Sequence, residues 1–128
     1  MAFELHQDKH QLPITVASDC LPRVPVALGG TTALIGIPCA SNNVRPFGVT
    51  NAATYLRGEV AAVYHDGNVV KMVANASVGA SAEVGVASSN GSVGPGLITA
   101  SAHWAVGQTL NAGAAGEIVS VFVNPRRV

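Results

Sequence analysis

Short β-branched runs cut by glycine and proline constrain this chain more than any other feature. Valine outnumbers leucine nineteen to eight across 128 residues, with fourteen glycines and seven prolines. A branched β-carbon suits a pleated strand and crowds a helix. Gly and Pro bend the chain into tight turns. No window beyond about ten residues keeps a clean helical period. The expected fold is therefore mainly β, a small barrel or sandwich with at most one or two short helices. The best helix candidate is "NAATYLR", residues 51–57, opened by Asn51 as an N-cap and stopped at Gly58.

The clearest unit is "GEVAAVYHDGNVVKMVA", residues 58–74. Two alternating runs flank Asp66-Gly67, a turn signal in which Gly accepts positive φ. The pattern predicts a β-hairpin. Further strands are expected over residues 24–28, 33–37, 84–88, 102–106 and 118–123. The segment "SSNGSVGPG", residues 88–96, reads as a mobile surface loop.

The length fits one domain. Residues 1–18 differ in texture and are expected to form an extended N-terminal arm before a single β domain over 19–128. Phe3, Leu5, Leu12 and Ile14 are the arm's spaced apolar residues, and Pro13 blocks a long helix. Burying four such side chains gains ~1.5–3 kcal/mol each. Ordering about fourteen residues costs ~1–2 kcal/mol each in backbone freedom. The arm must therefore gain backbone hydrogen bonds, and residues 2–16 are expected to order only on a neighbouring subunit or another partner.

Charge excludes several functions. Seven basic and seven acidic residues give a formal net charge of zero, and charged residues are 11% of the chain. No global field draws in nucleic acid or anionic lipid. Every apolar run is too interrupted to span a membrane as a helix. The opening "MAFELHQDKHQ" lacks the apolar stretch of a signal peptide, so the protein is expected to be made in the cytoplasm and to stay there until something carries it out. Cys20 and Cys39 form no CxxC and are expected as reduced, half-buried thiols. A neutral surface this short of charge suggests burial against partners.

Catalytic and metal chemistry find little footing. His6, His10, His65 and His103 stand in no nucleophile motif, and GxSxG is absent. His6 and His10 have i, i+4 spacing on a segment not expected to be helical, so no metal site is expected. "GGTTALIG" lacks the lysine and spacing of a phosphate loop. Lys71-Met72 is similar to the modified-lysine turn of biotin and lipoyl carriers, but the lysine falls mid-strand instead of at the turn. The expectation is a chain that is not an enzyme and takes no cofactor. A small carrier or ligand-binding β-barrel stays open as an alternative.

The last third carries a resemblance. "HWAVGQTLNAGAAGEIVSVFVNPRRV" places Gly107, Leu110, Ala112, Ala114, Ala115, Gly116, Glu117, Val119 and Val121 in a G-x-A/T-L-x-A-x-A-A-G-E-x-V-x-V pattern before a Pro/Arg tail. This resembles the ending of the capsid cement, or head decoration, proteins of tailed bacteriophages. "FGVTNAATYLRGEVAAVYHDGNVVKMVANASVGASAEV" is similar in style, so the resemblance covers about residues 45–128. It implies a structural virion protein on the outer surface of a phage capsid. It implies binding to the major capsid protein, assembly as a homotrimer and stabilisation of the shell, with no direct contact to nucleic acid or membrane. A tail-tube or connector component is the other phage reading.

The closing strand, residues 118–123, is apolar on both faces and is expected to be covered on both. Pro125 is expected to end it. Arg126 and Arg127 follow as candidate contacts to a shell or neighbour, with Phe3, Leu5, Leu12 and Ile14 as the other candidates.

Overall fold

The computed structural model describes residues 11–30, 34–87, 93–95 and 103–127. Among them ten strands follow in order: β1 (Gln11–Val16), β2 (Pro25–Gly29), β3 (Ile35–Pro38), β4 (Gly48–Thr50), β5 (Val60–Tyr64), β6 (Val69–Val73), β7 (Glu83–Val86), β8 (Val93–Pro95), β9 (Trp104–Thr109) and β10 (Ile118–Arg127). The described residues contain no helix, so the mainly β expectation holds and the short helix at 51–57 does not form. Asn51 draws that segment into a turn instead. Its Oδ1 accepts the Ala53 N–H and the Tyr55 hydroxyl. A side chain that bonds the local backbone in this way competes with helix formation.

The strands form two lobes. The first is a closed barrel in the order β1-β3-β2-β4-β5, with β5 returning to β1. The second is a five-stranded sheet in the order β6-β10-β9-β7-β8. A parallel bridge between Ala74 and Val93 brings β6 to β8, as the parallel β1–β3 pairing does in the first lobe.

The second lobe repeats the first at an offset of 58 residues. The Val16 N–H donates to Glu59, and the Ala74 N–H to Glu117. Cys20 and Tyr55 exchange backbone hydrogen bonds, as do Val78 and Gly113. The Gly58 N–H donates to Val16 and the Gly116 N–H to Ala74. Arg23 and Ser81 share positive φ angles of 58° and 59°.

This duplication overturns the hairpin expected over residues 58–74. Both runs are strands, but they do not pair. β5 pairs with β1 and β4, and β6 pairs with β10. Asp66-Gly67 is the link between lobes, and the Gly67 N–H donates to the Val123 carbonyl. Local turn chemistry was read correctly, but the partners that satisfy each strand lie in its own lobe.

Three other expectations change. Residues 11–16 of the expected arm form β1, and Ile14 and Val16 are each 1% exposed. Their backbone partners come from β3 and β5 of the same chain. The segment read as a loop over 88–96 contains β8, and Val93 is fully buried. Finally, Pro125 does not end β10. The register shifts between Val123 and Arg126, so the residue lacking an N–H sits at the irregularity, and the ladder resumes at Arg126 and Arg127.

Each lobe has its own core. The barrel encloses Ile14, Val16, Cys20, Val24, Val26, Ala61 and Val63. The second core, built on Met72, Val84, Val106, Val119 and Val121, also takes in Cys39 and Val49 from the first lobe. Small branched residues fill both interiors, which suits the narrow space between closely curved strands.

Candidate functional site

The segment between β3 and β4, residues 39–47, straps one lobe to the other. Its ends are fixed in the barrel, where the Cys39 N–H donates to Pro25 and the Phe47 N–H to Val26. Its middle lies on the second lobe. The Asn42 carbonyl accepts the Trp104 N–H at 2.7 Å, and the Arg45 guanidinium carbon stands 5.3 Å from the Trp104 ring centroid. A cation over an indole face at this range is attracted by the ring quadrupole. Gly85 makes room for the strap, because a Cβ there would stand 3.2 Å from that of Asn42.

Beside the strap, a cleft of about 490 Å³ opens between the lobes, lined by Leu28, Arg45, Phe47, His65, Asp66 and Pro125. The Phe47 and His65 rings stand 6.0 Å apart within it. The cleft offers one guanidinium, one carboxylate, an imidazole and an aromatic ring. No serine or cysteine is among its lining residues.

The outer face of β6 and β10 is the second surface feature. Val73 lies opposite Ile118, Lys71 opposite Ser120 and Val69 opposite Phe122. Val69, Val73, Ile118 and Phe122 are exposed on this face, and Leu110 adjoins it through its backbone bond to Ser120. Met72, Val119 and Val121 point the other way into the core. The closing strand is apolar on both faces, as the sequence indicates, and among the described residues the outer one stays exposed.

The candidate contact residues fall apart in space. Phe3 and Leu5, with His6 and His10, lie outside the described residues. Ile14 is a core residue of the barrel, while Leu12 is exposed on β1. The Arg126 guanidinium pairs with the Glu83 carboxylate on β7, which ties β10 to its own sheet. Arg127 is exposed, with its backbone opposite Trp104. Lys71 stands mid-strand and exposed on β6.

Cys20 and Cys39 are free, buried thiols, one in each core. Burial pushes the Cys39 thiol up to about 11. Burial, and then the nearby Asp19 carboxylate, push Cys20 upward as well. Both effects disfavour the thiolate.

The strap and the exposed face were missed as sites. "NNVRPFG" reads as a loop because its partners, Trp104 and Gly85, lie far along the chain. The face had a signal, the doubly apolar runs "VVKMV" and "EIVSVFV".

No protein-family model matches the chain, and no curated protein matches it significantly. Among solved structures, the fold is similar to that of the N base of head fiber gp8.5 in bacteriophage phi29. The match has 13% sequence identity and a TM-score of 0.65, and covers 89% of this chain and 92% of the other. At that identity the likeness is one of fold, and it takes in both lobes.

Proposed function

We propose that this chain is a structural protein of a phage head. In this reading it binds the outer surface of the assembled shell, contacts the major capsid protein, and stabilises the shell without catalysis or cofactor. Copies of the chain assemble as a trimer. The observation that carries the proposal is the fold shared with a phage head fiber base over nearly the whole of both chains. The C-terminal pattern from Gly107 to Val121 supports it independently. The sparse charge and exposed apolar strands also suit a protein that meets neighbours over wide areas.

Co-sedimentation with expanded capsids tests it. The purified protein should saturate capsids at a fixed number of copies and raise their resistance to heating or osmotic shock. Failure to co-sediment would remove the proposal. Binding without added resistance would favour a second reading, a base that anchors a head appendage, which the matched protein's description as a fiber base favours.

A further inference from the structure

We propose that a second, smaller cleft between the lobes is an anion site, which takes a carboxylate from an acidic, extended segment of a partner protein. The inference deepens the head-protein reading by naming the chemistry of a contact, and it rests on that reading only for the partner's identity. Arg23, Asn51 and Tyr64 of the barrel and Val69 and Lys71 of β6 line a space of about 170 Å³. That space takes a carboxylate side chain and is small beside the ~300–1,000 Å³ of pockets that enclose whole small molecules.

The cleft's two charges are both positive, and no carboxylate lines it. Neither Arg23 nor Lys71 has an anionic partner among the described residues. Asp19, Glu59 and Glu117 each accept a backbone N–H elsewhere, and Glu83 pairs with Arg126. Two cations that share one cleft repel each other, and an anion seated between them removes that repulsion. The Asn51 Oδ1 already accepts the Ala53 N–H and the Tyr55 hydroxyl, so its NH2 group is what remains for a ligand.

The backbone of β6 says what carries the carboxylate. β6 is the edge of its sheet. The Val123 N–H donates to Asn68 and the Ala74 N–H to Glu117. Alternation between those bonds turns the N–H and C=O groups of Val69 and Lys71 away from β10, to the open edge. A bare ion would meet those carbonyls unfavourably. An extended segment pairs with both groups along the edge while its carboxylate reaches the cations.

The duplicated lobe shows that the fold does not call for these side chains. Ser81 holds the positive φ of Arg23 without its charge. Leu110 follows Thr109 where Asn51 follows Thr50. Pro13 stands at the place of Lys71 and withdraws the N–H that Lys71 offers.

The test follows the isotope-labelled full chain by NMR at low salt. A tetraglutamate peptide is the probe, with tetralysine and inorganic phosphate as comparisons. Tetraglutamate should move the amide signals of Asn51, Val69 and Lys71 to a plateau, and tetralysine should leave them in place. Arg23→Asn/Lys71→Gln should weaken binding by about tenfold or more, since asparagine keeps the positive φ while removing the charge. Arg57 is an exposed cation outside the cleft, and Arg57→Gln should bind like the wild type. If the double variant fails to fold, Lys71→Gln alone, at an exposed place, reads the same contact. Absence of a plateau would overturn the inference, as would a folded double variant that binds like the wild type. Phosphate that displaces the peptide would overturn it too, marking an adventitious ion only. Co-sedimentation with capsids tests the head-protein reading separately from all of these.

Discussion

Where β1 presents Gln11, Pro13 and Thr15 to solvent, β6 presents Val69, Lys71 and Val73 at the matching places. Inside the lobes the contrast fades, since Ile14 and Met72 are both buried, as are Val63 and Val121. Identity between the halves survives where backbone or hydrogen bonding demands it. Gly48 and Gly107 each face a carbonyl oxygen, of Tyr64 and Phe122, where a Cβ has no space. The Thr50 and Thr109 hydroxyls accept the N–H groups of Val24 and Ala82. Gly58 and Gly116 have φ near +87° and +86°, and nothing would obstruct a Cβ at either, so conformation rather than space selects glycine. Glu59 and Glu117 each accept a backbone N–H three residues back, at 2.6 Å. The core tolerates any apolar residue of suitable volume, whereas these positions tolerate one or two residue types.

The strongest way to break the equivalence of the lobes is through the paired glycines. Gly48→Ala and Gly107→Ala should each lower stability by about 3 kcal/mol, because the new methyl group overlaps a carbonyl in the adjacent strand. Urea unfolding followed by Trp104 fluorescence measures both. The shared core through Cys39 and Val49 predicts one common transition. A Gly48→Ala loss that leaves the Trp104 transition unmoved would separate the lobes energetically.

The paired threonines sharpen the comparison. Thr50→Val leaves the buried Val24 N–H without its side-chain acceptor, at about 1–3 kcal/mol. Thr109 has an added task, since its hydroxyl also donates to the Gly79 carbonyl at 2.6 Å. Thr109→Val should cost about 1 kcal/mol more than Thr50→Val. Equal losses in the same urea titration would show that the second bond adds nothing.

The smallest effect comes from the thiols. Cys39 ionises at about 11 in the fold, against about 8.5 in an unfolded chain. The raised value means the folded state holds the proton more tightly. Its contribution is complete below the unfolded pKa and is lost as pH rises towards 11. Stability should therefore fall between about pH 8.5 and 11, and less so in Cys39→Ala. At pH 8, Cys39 should label on the order of 100-fold more slowly than an unburied thiol. Matched labelling of Cys20 reports the other lobe, and a fast Cys39 would reveal local opening of the second.

Strand content and the apolar alternation were legible because they are written within five or six consecutive residues. The runs at Pro25–Gly29, Ile35–Pro38 and Ile118–Arg127 show it. Pairing was not legible. Asp66-Gly67 signals a hairpin by local chemistry, yet its flanking strands close two separate circuits whose partners lie up to about fifty residues away. The duplication stayed hidden because most of its constraints bind backbone atoms, which residues supply whatever their side chains. "RGEV" and "AGEI" are its clearest trace. The exposed face was half legible: sequence shows both sides of β10 to be apolar, and only the fold shows which one the chain leaves open.

The strap has a consequence for the order of events during synthesis. All the strands of the barrel have been made once Tyr64 leaves the ribosome, and they can close upon one another. Cys39 and Val49 then wait with their side chains turned toward a core whose other members are not yet translated. The contacts of Asn42 and Arg45 with Trp104 can form only after that residue is made. The second half thus completes a core to which the first half has already contributed two residues.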